Sequence, residues 1–276
     1  VTGTKSDTPI IETPQSISVV TRQQMGDQAV DSVADSLRFT PGVVVSPLGA
    51  QNKDTIYLRG FGDIDGGGQQ YLDGLKLIYG NGFALPQIDP SELERVEVLK
   101  GPASVLYGQN SPGGIVNLVS KRPVEEPVHQ FEMTVGSYDY YEGMLDLGGP
   151  LDQSGKFLYR LTGVARTDDT QFDFNKKRRL SISPAFTWRP TASTSLTLLT
   201  NYQHDDPGGR FYNLVPASGS VLPNPRGSLS SDFTDADPNY DEYDRTQYSV
   251  GYEFRHDFSD SWEVRQNLRY MKIDGV

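Results

Sequence analysis

The stretch Leu93–Pro123, LERVEVLKGPASVLYGQNSPGGIVNLVSKRP, reads as two short strands tied together through Gly101, Gly108, Gly113 and Gly114. Beyond it the texture of the chain changes. From Val124 to Val276 apolar and polar residues alternate with a period of 2, in segments of roughly ten residues, the pattern of strands with one apolar and one wet face. Phe157, Tyr159, Leu161, Gly163 and Ala165 share a face opposite Arg160, Thr162 and Arg166. Leu180, Ile182, Pro184, Phe186 and Trp188 oppose Ser181, Ser183, Ala185, Thr187 and Arg189. Tyr248, Val250, Tyr252 and Phe254 oppose Ser249, Gly251, Glu253 and Arg255, and Trp262, Val264, Leu268 and Tyr270 oppose Glu263, Arg265, Asn267 and Arg269.

Upstream of Leu93 the pattern is mixed. Ser16–Val20 (SISVV), TIYLRGF and YLDGLKLIYG read as strands. Asp27–Thr40 reads as a helix, because Val30, Val33, Ala34 and Leu37 fall on one face and Pro41-Gly42 stops it. The chain therefore divides near residue 124 into an α+β domain, residues 1–123, and an antiparallel β region, residues 124–276.

Composition narrows the function classes. There are 25 Lys and Arg against 36 Asp and Glu, a net charge of −11, and the cations are scattered, so nucleic acid is not an expected partner. Without cysteine there are no disulfides, thiolate metal sites or Cys nucleophiles. No apolar run reaches the length of a membrane-crossing helix, and VTGTKSDTPI has neither the charged nor the apolar region of a signal peptide.

Two architectures suit the β region. A soluble sandwich, as in a secreted adhesin, buries its apolar faces between two sheets; an outer-membrane barrel turns them to lipid and keeps a polar interior. The connections alternate between short turns (RPTAST, DFSDS) and longer polar ones, the extreme being Asp205 to Arg245, as in a barrel with short periplasmic turns and long outer loops. Seven strands are expected, at about 128–136, 138–148, 156–168, 178–189, 194–204, 246–257 and 261–272. Because seven is odd and MKIDGV ends in mid-pattern, a longer protein is expected.

With these features in place the chain resembles a TonB-dependent siderophore receptor. The resemblance rests, in family order, on TPQSISVVT (Thr13–Thr21), LRFTPGV (Leu37–Val43), YLRGF (Tyr57–Phe61), YLDGLKL (Tyr71–Leu77) and the Leu93–Pro123 stretch. GTKSDTPI, RLTGVARTDD, ISPAFTWRP and VRQNLRYM look most like the ferrichrome, or ferric hydroxamate, branch. The resemblance implies a plug domain followed by the first strands of a 22-stranded transmembrane barrel in the outer membrane. It implies a monomer that imports a ferric siderophore, drawing energy from a TonB protein, with no cofactor and no catalysed reaction; haem, cobalamin or another siderophore class are alternative cargoes. In that setting the four glycines allow a strand, a one-turn helix and a second strand to pack inside a confined wall.

The resemblance also implies a site. The plug apices are SPLGAQN (Ser46–Asn52), GDIDGGGQQ (Gly62–Gln70) and YGNGFALP (Tyr79–Pro86), and the outer loop contributes RFYNLVP (Arg210–Pro216). Expected ligand contacts are Phe83, Tyr212, Leu214, Gln69, Gly66 and Leu48, with Leu48 standing where the branch has an arginine and Leu214 where it has an indole. Arg59 and Lys100 are expected to anchor the plug by facing acidic residues of the wall, most of them beyond Val276. No clear TonB box is present. Three further signals are weak: the glycines of GFGDIDGGGQQ lack the helix and Lys of a phosphate cradle, His129, His204 and His256 lack metal spacing, and Asp205-Asp206 belongs to a solvated acidic loop rather than to an acid/base pair.

Overall fold

The computed structural model describes the chain except for residues 1–2, 4–8, 47–51, 63–68, 81–83, 210–213, 236, 238–239, 242 and 276. In the first domain the elements are β1 (Ser16–Thr21), α1 (Arg22–Asp27), α2 (Val33–Leu37), β2 (Val43–Val45), β3 (Ile56–Leu58), β4 (Phe61–Gly62), β5 (Gln70–Leu72) and β6 (Leu75–Lys76). They are followed by β7 (Leu93–Lys100), α3 (Ser104–Tyr107) and β8 (Gly114–Ser120). One sheet has the order β1-β7-β8-β5-β6, and a small one the order β2-β3-β4. Val20, Met25, Val33, Leu37, Leu58, Leu93, Val96, Val98, Val116 and Leu118 form the core between them.

The opening stretch is thus strand, one-turn helix, strand. At Gly114, φ is +129° and a Cβ would lie 2.0 Å from the Leu99 carbonyl oxygen, while at Gly113 it would lie 2.2 Å from that of Leu58. Only glycine admits such an approach of backbone to backbone.

Of the helix expected over Asp27–Thr40 only α2 (Val33–Leu37) forms, and α1 lies upstream, ending at Asp27. Thr21 caps α1 through a capping box with Gln24, and the chain then leaves the helix through Ala29, whose φ is +48°. Ser32 starts α2 by accepting the Asp35 N–H. Val30, Val33, Ala34 and Leu37 are all buried, so the apolar pattern marks the core correctly although one helix does not carry it.

The second region is a seven-stranded antiparallel meander: β9 (Val128–Gly136), β10 (Tyr140–Pro150), β11 (Phe157–Asp168), β12 (Lys177–Thr191), β13 (Thr194–Gly208), β14 (Arg245–Ser259) and β15 (Trp262–Gly275). Each strand pairs with the next, and β9 and β15 are the edges of the open sheet. The first domain sits against its concave, polar face. There Thr162, Ser181, Gln203, Asp205, Arg245 and Gln247 are buried, whereas Leu180, Ile182, Trp188, Tyr202, Val250, Trp262, Leu268 and Tyr270 are exposed on the opposite face. A sandwich would bury that apolar face, so the arrangement is that of a barrel wall.

The long connection is shorter than the sequence suggests. β13 runs to Gly208 and β14 starts at Arg245, so Asp205 and Arg245 are paired strand residues and the loop is residues 209–244.

The exposed aromatic residues gather near the ends of the strands. Trp188 precedes the β12–β13 turn and Trp262 follows the β14–β15 turn, at the same end of the wall and both on the outer face. In bilayers containing lipids brominated on the acyl chain, fluorescence of both tryptophans should be strongly quenched, with little further effect of aqueous acrylamide. Quenching by acrylamide alone would contradict an outward-facing membrane girdle.

Candidate functional site: the interface between plug and wall

The decisive polar residues lie in one row. Glu142, Arg166, Arg179, Asp205 and Arg245 are successive register partners across β10 to β14. Alternation along each strand turns all five inward. Arg166 and Arg179 are thereby direct cross-strand neighbours of like charge, a destabilising arrangement unless an anion stands between them. The first domain supplies it. Asp89, fully buried, accepts from Arg166 Nη1 and Arg179 Nη1 at 3.0 Å each.

Local sequence fixes that carboxylate. Asp89 caps the 3-10 turn Pro90–Glu92, its Oδ1 accepting the Ser91 N–H at 2.9 Å, which leaves Oδ2 for the arginines. On either side the row continues: Arg166 donates to Glu142 at 2.6 Å, Arg179 to Asp205 at 2.7 Å, and Arg245 to Asp205 at 2.9 Å. Burial alone would raise the Asp89 pKa, but the two arginines outweigh it and hold the carboxyl well below the usual range.

Two more ties lie below this row. Asp73, in the hairpin turn with Gly74 (φ +53° and +80°), accepts from Ser120 N at 2.9 Å, Ser120 Oγ at 2.7 Å, Arg122 at 2.9 Å and Arg269 of β15 at 2.6 Å. Burial is again outweighed, by Arg122 and Arg269, so its pKa is lowered. Lys121, where the first domain ends, donates to Asp146 of β10 at 2.7 Å, and Arg160 of β11 forks onto the same carboxylate at 2.7 and 2.8 Å. Glu92 differs. It accepts from Ser181 Oγ and from Asn201 Nδ2 (2.7 Å), with no cation at ion-pair distance among the described residues. Burial, with the nearby Asp89 charge, pushes its pKa up to about 7.

This polarity was not legible in the sequence. Arg59 is exposed, and Lys100 donates to Ser18 Oγ at 2.9 Å within its own sheet; neither faces a carboxylate among the described residues. Charge crosses this interface in both directions: Asp89 and Asp73 of the first domain meet strand arginines, while Lys121 and Arg122 of the first domain meet Asp146 and Glu253 of the strands. The available signal was the row of arginines at polar-face positions of successive strands, with DPSE and LDGL as turn motifs presenting an aspartate. Asp205 is likewise a buried ion partner, not part of a solvated loop.

Of the expected ligand contacts, Leu48, Gly66, Phe83 and Tyr212 lie outside the described residues. Gln69 is buried and donates through Nε2 to the Phe61 carbonyl at 3.0 Å, which directs it into its own domain. Leu214 is exposed in the long loop. A cavity of about 390 Å³ separates α2 from the long-loop ends of β11 to β13, lined by Asp31, Arg38, Lys53, Gln87, Lys177 and Arg179 among others. His204 and His256 bond Thr246 and Thr194, and no cluster of metal-ligating residues occurs among the described ones.

Residues 9–115 match the TonB-dependent receptor plug domain. The chain is 44% identical over 271 residues to the ferrichrome outer membrane transporter/phage receptor of Escherichia coli K12, covering 98% of this chain and 36% of that protein. It is 42% identical over 273 residues to the ferrioxamine B receptor of Salmonella typhimurium, covering 98% of this chain and 38% of the relative. The structure superposes on the ferripyoverdine receptor of the Pseudomonas aeruginosa outer membrane bound to ferripyoverdine, with a TM-score of 0.84 at 28% identity over 98% of this chain and 35% of that one. The chain therefore spans little more than a third of the length of these relatives.

The pKa directions predict how docking responds to pH. Asp89 and Asp73 have lowered values, so their contribution holds above about pH 4 and is lost on acidification through the folded values. Glu92 has the opposite sign: raised from 4.5 to about 7, it favours docking when protonated, and stability falls as pH rises between those values, by about 3 kcal/mol. Urea-dependent proteolysis of the first domain in the detergent-purified full-length protein should show this loss, and Glu92→Gln should abolish it. An identical pH slope in wild type and variant would contradict the assignment.

Proposed function

As this chain belongs to the TonB-dependent receptors, carrying the plug and the first strands of the barrel wall, we propose that the protein imports a ferric siderophore of the hydroxamate class across the outer membrane. The observation that carries this reading is the 42 to 44% identity, along nearly the whole chain, to receptors named for ferrichrome and ferrioxamine B. Iron enters already chelated, so the protein recognises the shape and oxygen atoms of the ligand and has no need to ligate the metal. The long-loop end of the wall faces the medium, and the ligand sits there between loop 209–244 and the plug apices.

On this reading Phe83 and Tyr212 are the aromatic contacts, with Gly66 beside them, while Gln69, buried against Phe61, supports the apical segment from within. Leu48 and Leu214, which replace an arginine and an indole, make the site more apolar and less donor-rich than that of the ferrichrome branch. That favours a trihydroxamate which offers methylene chains rather than a peptide ring. Passage requires the plug to yield, and the energy comes from a TonB protein pulling from the periplasm. The charged ties to the wall resist that pull: they are strong while dry and weaken as water enters.

Binding of ferrichrome and ferrioxamine B to the detergent-purified full-length protein, with ferripyoverdine and cobalamin as competitors, tests the cargo. A hydroxamate should bind, and neither competitor should displace it. Phe83→Ala combined with Tyr212→Ala should weaken binding roughly 5- to 150-fold, equivalent to about 1 to 3 kcal/mol, without reducing the heat-modifiable folded barrel. Unchanged affinity would remove both rings from the site, and loss of folded barrel would return them to packing.

A further inference from the structure

Arg245 ends the long loop and begins β14, and its side chain is fully buried. Each of its five N–H groups has an acceptor. Nε donates to Asp205 Oδ2 at 2.9 Å and Nη2 reaches the same carboxylate. Nη2 also donates to Gln87 Oε1 at 2.7 Å, and Nη1 donates to the Asn52 carbonyl at 2.8 Å and the Leu85 carbonyl at 3.1 Å. Gln247, two residues on, exchanges hydrogen bonds with the Gln87 backbone at 2.8 and 3.2 Å.

Those acceptors sit in two places. Asn52 directly follows residues 47–51, and Leu85 and Gln87 follow residues 81–83, the segments that the resemblance implies are plug apices. The loop root is closed beside the same guanidinium: Gly208 N donates to the Tyr243 carbonyl at 2.6 Å, and the Tyr243 ring centroid lies 5.8 Å from the Arg245 guanidinium carbon. Farther along, the Asp173 N–H donates to the Asp232 carbonyl at 2.9 Å, joining this loop to the β11–β12 connection. One side chain therefore meets two apical segments of the plug, the wall and the loop root. A lysine has three donors on one nitrogen and no planar fork, and could not supply the five contacts that Arg245 makes.

We propose that Arg245 is a positioning residue that makes the two apical plug segments and the root of loop 209–244 one mechanical unit, so that a ligand held between plug and loop is felt by both. The ligand part rests on the hydroxamate reading above; the mechanical part does not. The unit forms because breaking any one of these bonds leaves a buried donor or acceptor without a partner, which ties the bonds to one another.

Hydrogen exchange measured by mass spectrometry on the full-length protein in detergent tests this. Without ligand, Arg245→Gln should raise exchange at least tenfold in residues 53–56, 85–88 and 243–244 together, and leave the hairpin 70–76, tied by Asp73, unchanged. Arg245→Lys should do the same, because it keeps the charge and loses the fork. Gln87→Ala, which leaves the wall intact, should loosen 85–88 and 243–244 together. With ferrichrome or ferrioxamine B, wild type should gain protection in both plug segments and the loop root, and Arg245→Gln should not pass it to the loop root. A uniform rise in exchange, a rise confined to the wall, or full rescue by lysine would overturn the proposal. If wild type binds neither hydroxamate, the cargo reading fails, and the ligand-free comparison still decides for or against the unit.

Discussion

Two arginines on neighbouring strands, Arg166 and Arg179, face each other across the inner surface of the wall, and a single aspartate of the plug, Asp89, stands between them. The rest of the interface follows from that constraint. The wall row reads Glu142, Arg166, Arg179, Asp205, Arg245, one positive charge in excess, and Asp89 brings it to neutrality. An undocked plug leaves two like charges adjacent in a poorly hydrated lumen, and an undocked wall leaves Asp89 without its cations. Each part lacks something only the other supplies.

If the protein imports its ligand as proposed above, the character of this interface suits a plug that yields. An apolar junction would hold against water as firmly after a small displacement as before it. A buried polar junction loses its advantage once water reaches the charges, because the screened ions attract each other far less. The ties are also distributed: Asp89 near the row of arginines, Asp73 at β15, Lys121 with Asp146 and Arg122 with Glu253 where plug becomes wall, and Asp31 with Lys177 of β12. Glu92, placed between them without a cation at ion-pair distance among the described residues, is the weak member, and burial pushes its pKa up. Most apolar contact lies at two other surfaces, the plug core and the lipid face, with Met271 of β15 packing against that core.

Much of the wall was legible because lipid imposes a strict alternation. The seven strands fall within a few residues of their expected places, and the faces are assigned correctly, since each apolar residue must point outward and its neighbours inward. The break at Ala29 was not legible, because Val30, buried from the connecting segment, falls in the same period as Val33, Ala34 and Leu37 of α2. Asp205 and Arg245 read as loop residues: their neighbours are polar, and only the β13–β14 register brings them together across nearly forty residues of intervening chain. The anchors were the hardest to see. Which cation meets which carboxylate depends on how the plug is seated against the wall, and no local pattern encodes that. Arg59 and Lys100 stood out by resemblance, whereas nothing in the sequence singled out Asp89.

A double-mutant cycle on Asp89 and Arg166 tests the central claim most directly, read as plug docking stability by urea-dependent proteolysis of the detergent-purified protein. If Asp89 neutralises the arginine pair, Asp89→Asn alone should be strongly destabilising, and adding Arg166→Gln should restore part of the loss, with a coupling of about 2 to 5 kcal/mol. Effects that simply add, within about 0.5 kcal/mol, would mean that the two groups do not depend on one another and that something else seats the plug.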